Sequence, residues 1–266
     1  MALVLSCTFI KCNKTKLMEG NYMKVTILNP EEATRLFEYW GKASCVCYDT
    51  ETETPEKVGK HCMNSGHFSG SRGRYILFKV EGCPRFTIDQ AVRHEVGVMK
   101  NVQSFRYVGK DSFVYEVPSE ITDNEELLAK YHAHMMKTME LYNEIQTYVF
   151  DKTGSHERAN EQARHVLPIS THADFVIGMT IEALIHFENA RLCVRAEDKI
   201  RELALLIKNA TIELLPELKD KLVPNCQALL WCPEGKASCA AYPTKKELKE
   251  MIDKFKQMMA EVNAGE

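Results

Sequence analysis

An α+β architecture, a small antiparallel sheet packed with long helices, is the fold class this sequence predicts. Three observations carry it. Strand-like alternation is confined to the first half of the chain, while from about Asn124 onward apolar residues recur at helical spacing almost to the end. The 266 residues, 45% of them hydrophobic, are enough for a full core, and no repeat or low-complexity linker divides them.

"MKVTIL", opening at Met23, alternates as a short strand and marks the start of the folded chain. Residues 1–22 are then an extension outside the fold, disordered or non-native. "PEEATRLFEYWGKA" is a helix by its first-turn proline and acidic N-terminus. "SGHFSGSRG" is a Gly/Ser loop whose backbone amides suit an anion. "RYILFKVEG" alternates as a strand, "IDQAVRHE" ends a helix, and "VQSFRYV" and "DSFVYEVP" are strands parted by the turn signal "GKD".

The second half is helical by period. "NEELLAKYHAHMMKTMELYNEIQTYVFDK" is one long helix, and "HERANEQARHVLP" a short one stopped at Pro168. "ADFVIGMTIEALIHFENARLCVRAEDKIRELALLIKNA" is a long, partly buried helical stretch, and "TKKELKEMIDKFKQMMAEV" a charged amphipathic tail helix with a solvated face. Met135, Met136 and Met139 are core filling rather than a cofactor box. His132 and His134, two apart on a helix, face different ways and make no metal pair.

Composition excludes several classes. A net charge of −3 supplies no basic field, so an anionic partner is a small phosphorylated molecule held by a local cluster, not a nucleic-acid polymer. No run approaches the ~20 apolar residues of a membrane span. "MALVLSCTFIKCNKTK" lacks the basic n-region and cleavage site of a signal peptide. The ten cysteines are therefore expected as reduced thiols in the cytoplasm. Cys226, Cys232 and Cys239 lie in "PNCQALLWCPEGKASC", where five and six intervening residues do not match the short pairs of structural zinc sites, so no metal is expected.

The anion-binding groups concentrate in "QAVRHEVGVMKNVQSFRY". Arg93, His94, Lys100 and Arg106 stand there with Asn101, Gln103 and Ser104 among valines, with one acid, Glu95. Arg164 follows in "ERANEQARHVLP". His186, Arg191 and Arg195 follow on a helix where Arg191 can share a face with Arg195 and lie near His186. A single such arginine is ordinarily half of a surface ion pair. Three clusters beside apolar helical segments weaken that reading without removing it.

Those segments in this order, "SGHFS", "QAVRHE…NVQSFRY", "EQARHVLP", "IHFENARL" and "RAEDKIRELA", resemble the flavin-dependent thymidylate synthases from about Met23 to Leu215. The resemblance implies three regions: the extension 1–22, a catalytic domain 23–215, and a Cys-containing loop with an amphipathic helix over 216–266. It implies reductive methylation of dUMP to dTMP, with methylenetetrahydrofolate as carbon donor, NADPH as reductant and FAD between them. It also implies a homotetramer with active sites shared between subunits, and no cysteine nucleophile. Gln90, Arg93, Ser104, Phe105, Arg106 and Arg164 match positions that hold the nucleotide, the phosphate falling to Ser104 and Arg106. Arg191 matches the catalytic arginine against the pyrimidine ring, stabilising negative charge as N3 loses its proton. His67, Ser69, Arg93, His94, Asn101 and His186 fall at or beside flavin-contacting positions.

The chain departs from the family pattern chiefly on the flavin side. Glu95 replaces the second signature arginine, Val102 a glutamate and Met99 a serine. Thr180 and Glu182 replace an Asn-x-Arg pair, Arg72 a glutamate, and Glu197 and Lys199 a Gln and a Glu. A carboxylate ~5 Å from a pyrophosphate costs about 3 kcal/mol at an effective dielectric near 20. Either Arg72 faces Glu95 or Glu182 as a swapped pair, or the cofactor sits differently, or it is gone. The corresponding readings are a diverged synthase, a paralogue modifying another pyrimidine deoxynucleotide, and a non-catalytic nucleotide-binding subunit. The kept Arg191 argues against the last, since a binder has no need to ionise the ring.

Overall fold

The computed structural model describes residues 23–264. The extension expected over residues 1–22 therefore lies outside the described residues. The chain divides into two compact units. One comprises Met23, Gly82–Arg85 and Gln103–Ala173; the other comprises Lys24–Glu81, Phe86–Val102 and the chain from Asp174 onward.

The second of these units holds most of a four-stranded sheet. Its strands are β1 (Lys24–Ile27), β2 (Ile76–Pro84), β3 (Val98–Val102) and β4 (His172–Met179), in the order β1-β2-β4-β3. β1 pairs antiparallel with β2, Val25 opposite Val80, and β3 antiparallel with β4, Lys100 opposite Ile177. The helices of this unit are α1 (Pro30–Thr34), α2 (Leu36–Cys47), α3 (Pro55–Asn64) and α4 (Arg85–Ala91), whose first residue falls to the other unit. Further along come α7 (Ile181–Arg191), α8 (Asp198–Leu214), α9 (Asn225–Leu229) and α10 (Lys245–Ala264). Ile76, Phe78 and Val80 of β2 and Ile177 and Met179 of β4 are fully buried, as are Leu184 and Phe187 of α7 and Ile200, Leu203 and Ile207 of α8. α2 and α3 pack through two glycines. A Cβ on Gly41 would stand 1.7 Å from the Pro55 carbonyl oxygen, and one on Gly59 2.1 Å from that of Phe37, so no side chain fits at either position.

In the first unit α5 (Glu125–Thr153) and α6 (His156–Ala163) form a helical hairpin. Asn124 caps α5 by accepting the Leu127 N–H, Gly154 ends it at φ +66°, and Ser155 caps α6 through the Arg158 N–H. Phe113, Tyr115 and Met135 form its core with Tyr131, Met139 and Leu167 against them. Of the three methionines read as core, Met135 and Met139 are, whereas Met136 is 40% exposed.

Several elements differ from expectation. The predicted first helix is two, broken at Arg35. "ADFVIGM" is not helical but most of β4. Ala173, Phe175, Ile177 and Met179 are buried but Asp174 and Val176 are half-buried, so its alternation is too shallow to stand out from the apolar run that continues into α7. "QSFRYV" is a turn, with Tyr107 and Val108 donating to the Ser104 carbonyl. "DSFVYEVP" holds only a bridge, Tyr115 to Thr171. The tail helix stands where predicted and starts with a capping box in which Thr244 and Glu247 accept each other's backbone N–H.

Candidate functional site

In the second unit the end of α7 places Arg191 beside the end of α4. Arg191 Nε donates to His94 Nε2 at 3.0 Å, and Nη2 donates to the Gln90 carbonyl at 3.3 Å. The His94 ring meets Phe187 edge-on at 5.0 Å between centroids. Burial, then the charges of Arg191, Lys100 and His186, pushes His94 down to about 4. The imidazole is therefore neutral near pH 7 and can be an acceptor for Arg191. Arg191 is itself lowered from the usual guanidinium range by burial and by nearby Arg93. Gln90, Arg93, His94 and Arg191 are thus brought together, with His186 and Lys100 close enough to act on His94. The Gln90 amide turns to Glu197, donating to Oε2 at 3.4 Å.

Ser69 lies exposed in a 3-10 turn, Phe68–Ser71, packed near α7. Just after it, Arg72 reaches Glu182 with two bonds, Nε to Oε2 at 2.7 Å and Nη2 to Oε1 at 3.1 Å. Arg72, and to a smaller extent His186 one turn further on, hold the Glu182 carboxyl below its ordinary range. Asn101 is exposed on β3, opposite Val176. His67 is exposed, and its carbonyl accepts the Trp40 indole N–H. Glu95 is exposed, with no ion-pair partner among the described residues. Two departures are structural: Thr180 caps α7 through the Ala183 N–H, and Glu197 caps α8 through the Ile200 N–H.

In the first unit the turn Ser104–Phe105–Arg106 is closed by the Arg106 N–H donating to Ser104 Oγ at 3.3 Å. Phe105 lies under two cations, Lys110 at 4.9 Å and Arg85 at 6.0 Å. Arg106 is engaged by α6: Nη2 meets Glu157 at 2.6 Å and Nε meets Glu161 at 3.1 Å. Arg164, one turn beyond Glu161, is exposed and makes no ion pair among the described residues. An anion recruited by Arg106 must compete with two carboxylates.

Lys110 and Arg85 are additions that sequence reasoning did not single out. "GKD" served only as a turn signal, and Arg85 lies far upstream of the cluster. Glu157 and Glu161 were equally invisible, because nothing local links them to Arg106.

A family model described as thymidylate synthase complementing protein matches residues 32–217. A flavin-dependent thymidylate synthase of Nitratidesulfovibrio vulgaris is 33% identical over 70% of this chain and 76% of its own length. One from Thermococcus onnurineus is 33% identical over 75% of this chain and 82% of its own. One from Clostridium tetani is 27% identical and covers 87% of this chain and 99% of its own.

Proposed function

The chain belongs to the flavin-dependent thymidylate synthase family, and on that premise we propose that it is an FAD-dependent methyltransferase converting dUMP to dTMP. Methylenetetrahydrofolate is the carbon donor and NADPH the reductant. One observation carries this reading. Arg191 is held on one side by a neutral histidine and a backbone carbonyl, so its charge is not cancelled by a carboxylate. A guanidinium in that state can stabilise the anion formed when a pyrimidine loses its N3 proton, which makes C5 nucleophilic.

The residues fit the flavin. Arg93 and Lys100 supply positive charge around His94 and Arg191, suited to a pyrophosphate. The reversed charge at Glu182 is met by Arg72, so that carboxylate does not stand uncompensated. Ser69, Arg93, His94, Asn101 and His186 would hold the cofactor, which supplies a hydride when bound. Gln90, Arg93, Ser104, Phe105, Arg106 and Arg164 are assigned to the nucleotide, with Ser104 and Arg106 on its phosphate. We assign a homotetramer with shared sites and a cytoplasmic location. No described helix is long and apolar enough to cross a membrane, and the described cysteines are free thiols.

The test is the visible spectrum of the purified protein together with tritium release from 5-tritiated dUMP. A flavin band and folate- and NADPH-dependent release are expected. A colourless protein that binds dUMP without release overturns the assignment.

A further inference from the structure

Four cysteines with no part in the reaction gather at the C-terminal end of α7. Cys193, Cys226, Cys232 and Cys239 line one cavity of about 30 Å³, with Arg195 and Glu234 also in its wall. They come from separate stretches of chain. Cys193 follows α7, Cys226 opens α9, and Cys232 and Cys239 flank the loop leading to α10. The loop is anchored. Cys232 is 5% exposed, its N–H donates to the Pro243 carbonyl at 2.7 Å, and it bridges to Thr244. Leu230 and Ala240 adopt φ values of +60° and +63°, a strained choice for residues with a side chain. Asn189 Nδ2 ties the preceding segment to α7 through the Val223 carbonyl.

Two chemistries use four such sulfurs, and the structure separates them. A structural metal cage closes its ligands around the ion and shields them together. Here no three of the described His, Cys, Asp or Glu side chains form a metal-holding group, and the sulfurs are graded in access. Cys239 is exposed, Cys193 and Cys226 are half-buried, and Cys232 is buried. Thiol–disulfide exchange needs that gradation, one sulfur open to an incoming oxidant and a shielded partner to resolve it. Burial is the main influence raising the Cys226 thiol, and Cys232, Cys193 and Cys239, which line the same cavity, add to it.

We propose that this cavity is a reversible dithiol–disulfide site in which exposed Cys239 meets a low-molecular-weight disulfide and Cys226 resolves it. The Cys239 thiolate attacks one sulfur of the small disulfide, forming a mixed disulfide and releasing one thiolate. Cys226 gives up its proton, attacks the Cys239 sulfur and releases the second thiolate. Two protein thiols are oxidised, and one small disulfide is reduced to two thiols. Arg195 in the cavity wall offers a counter-charge to the thiolates that form.

The full-length protein is incubated with oxidised glutathione under native conditions, then alkylated, digested and mapped by mass spectrometry. A Cys226–Cys239 bridge reversed by dithiothreitol is expected, lost in Cys226→Ser and in Cys239→Ser but kept in Cys45→Ser and Cys47→Ser. In Cys226→Ser the glutathione adduct should persist on Cys239. A bridge elsewhere, a persistent adduct on Cys239 of the unsubstituted chain, no reaction, or a bound metal masking the sulfurs each overturns it. If a serine variant does not fold, the map of the unsubstituted protein decides.

Discussion

Arg72 and Glu182 face each other as a fork, two hydrogen bonds of 2.7 and 3.1 Å across 110 residues of sequence. Both are positions where the resemblance implies the opposite charge in the family. The pair therefore keeps the local net charge while exchanging which element carries which sign. Arg72→Ala leaves Glu182 bare, and flavin retention, followed by the bound absorbance on dialysis, should fall by about an order of magnitude. Glu182→Ala should fall much less. The double reversal Arg72→Glu with Glu182→Arg should regain most of the loss, and its failure to do so would separate the pair from cofactor binding.

The charge of Arg191 is not offset by its partners, His94 and the Gln90 carbonyl, which carry none. Arg191→Ala should cut tritium release from 5-tritiated dUMP by ~10²–10³-fold, the scale of losing a charge-stabilising donor, while flavin retention stays mostly intact. Loss of flavin without loss of turnover would remove the catalytic role.

His94 makes that arrangement pH-dependent. Its folded pKa of about 4 lies below the 6.5 of an ordinary histidine, so between those values the unfolded chain takes up a proton that the native one refuses. The contribution of His94 to native stability is complete above about pH 6.5 and is lost as the pH drops toward 4. Because the ring is half-buried, the loss is discounted to roughly 1–2 kcal/mol. Urea midpoints at pH 7 and 4.5 measure it. His94→Gln should flatten the difference, and an undiminished difference would place the titration on another group.

Much of this is legible in the sequence. The Arg72–Glu182 swap is one of the two pairings that charge reversals against the family pattern offer, and the sheet-then-helices order follows from periodicity. What stayed hidden has common physical causes. β4 alternates only between buried and half-buried positions and runs straight into the apolar α7, so little marks it as a strand. "QSFRYV" has strand-forming residues but folds as a turn because the Ser104 carbonyl takes two backbone N–H groups. Ion pairs such as Arg106 with Glu157 and Glu161 join residues about fifty positions apart, and no local pattern announces them.

Those two pairs yield a prediction of opposite sign to the usual one. Arg106→Ala should weaken dUMP binding by about 10–100-fold if Arg106 holds the phosphate, the worth of a charge-assisted bond. Glu157→Gln with Glu161→Gln should strengthen it several-fold, since the phosphate no longer competes with two carboxylates. Isothermal titration with dUMP reads both. An unchanged affinity in Arg106→Ala would reject the phosphate assignment.

Glu188 is the least comfortable residue of the second unit. It is fully buried on α7, and neither carboxylate oxygen has a hydrogen-bond partner among the described residues. Burial raises its carboxyl well above the ordinary range, and Lys208 offsets this only in part. The group is thus protonated in the native state at pH values where the unfolded chain has already released its proton. Stability is full below the ordinary glutamate range and declines as the pH climbs through the raised native value, the reverse of His94. Glu188→Leu removes a polar group that lacks partners and should stabilise the protein by about 1–3 kcal/mol at neutral pH. Glu188→Gln should flatten the alkaline decline without that gain, because an amide there is equally unpartnered. Thermal denaturation from pH 5 to 9 distinguishes the three proteins. A destabilised leucine variant would mean that Glu188 finds a partner in solution.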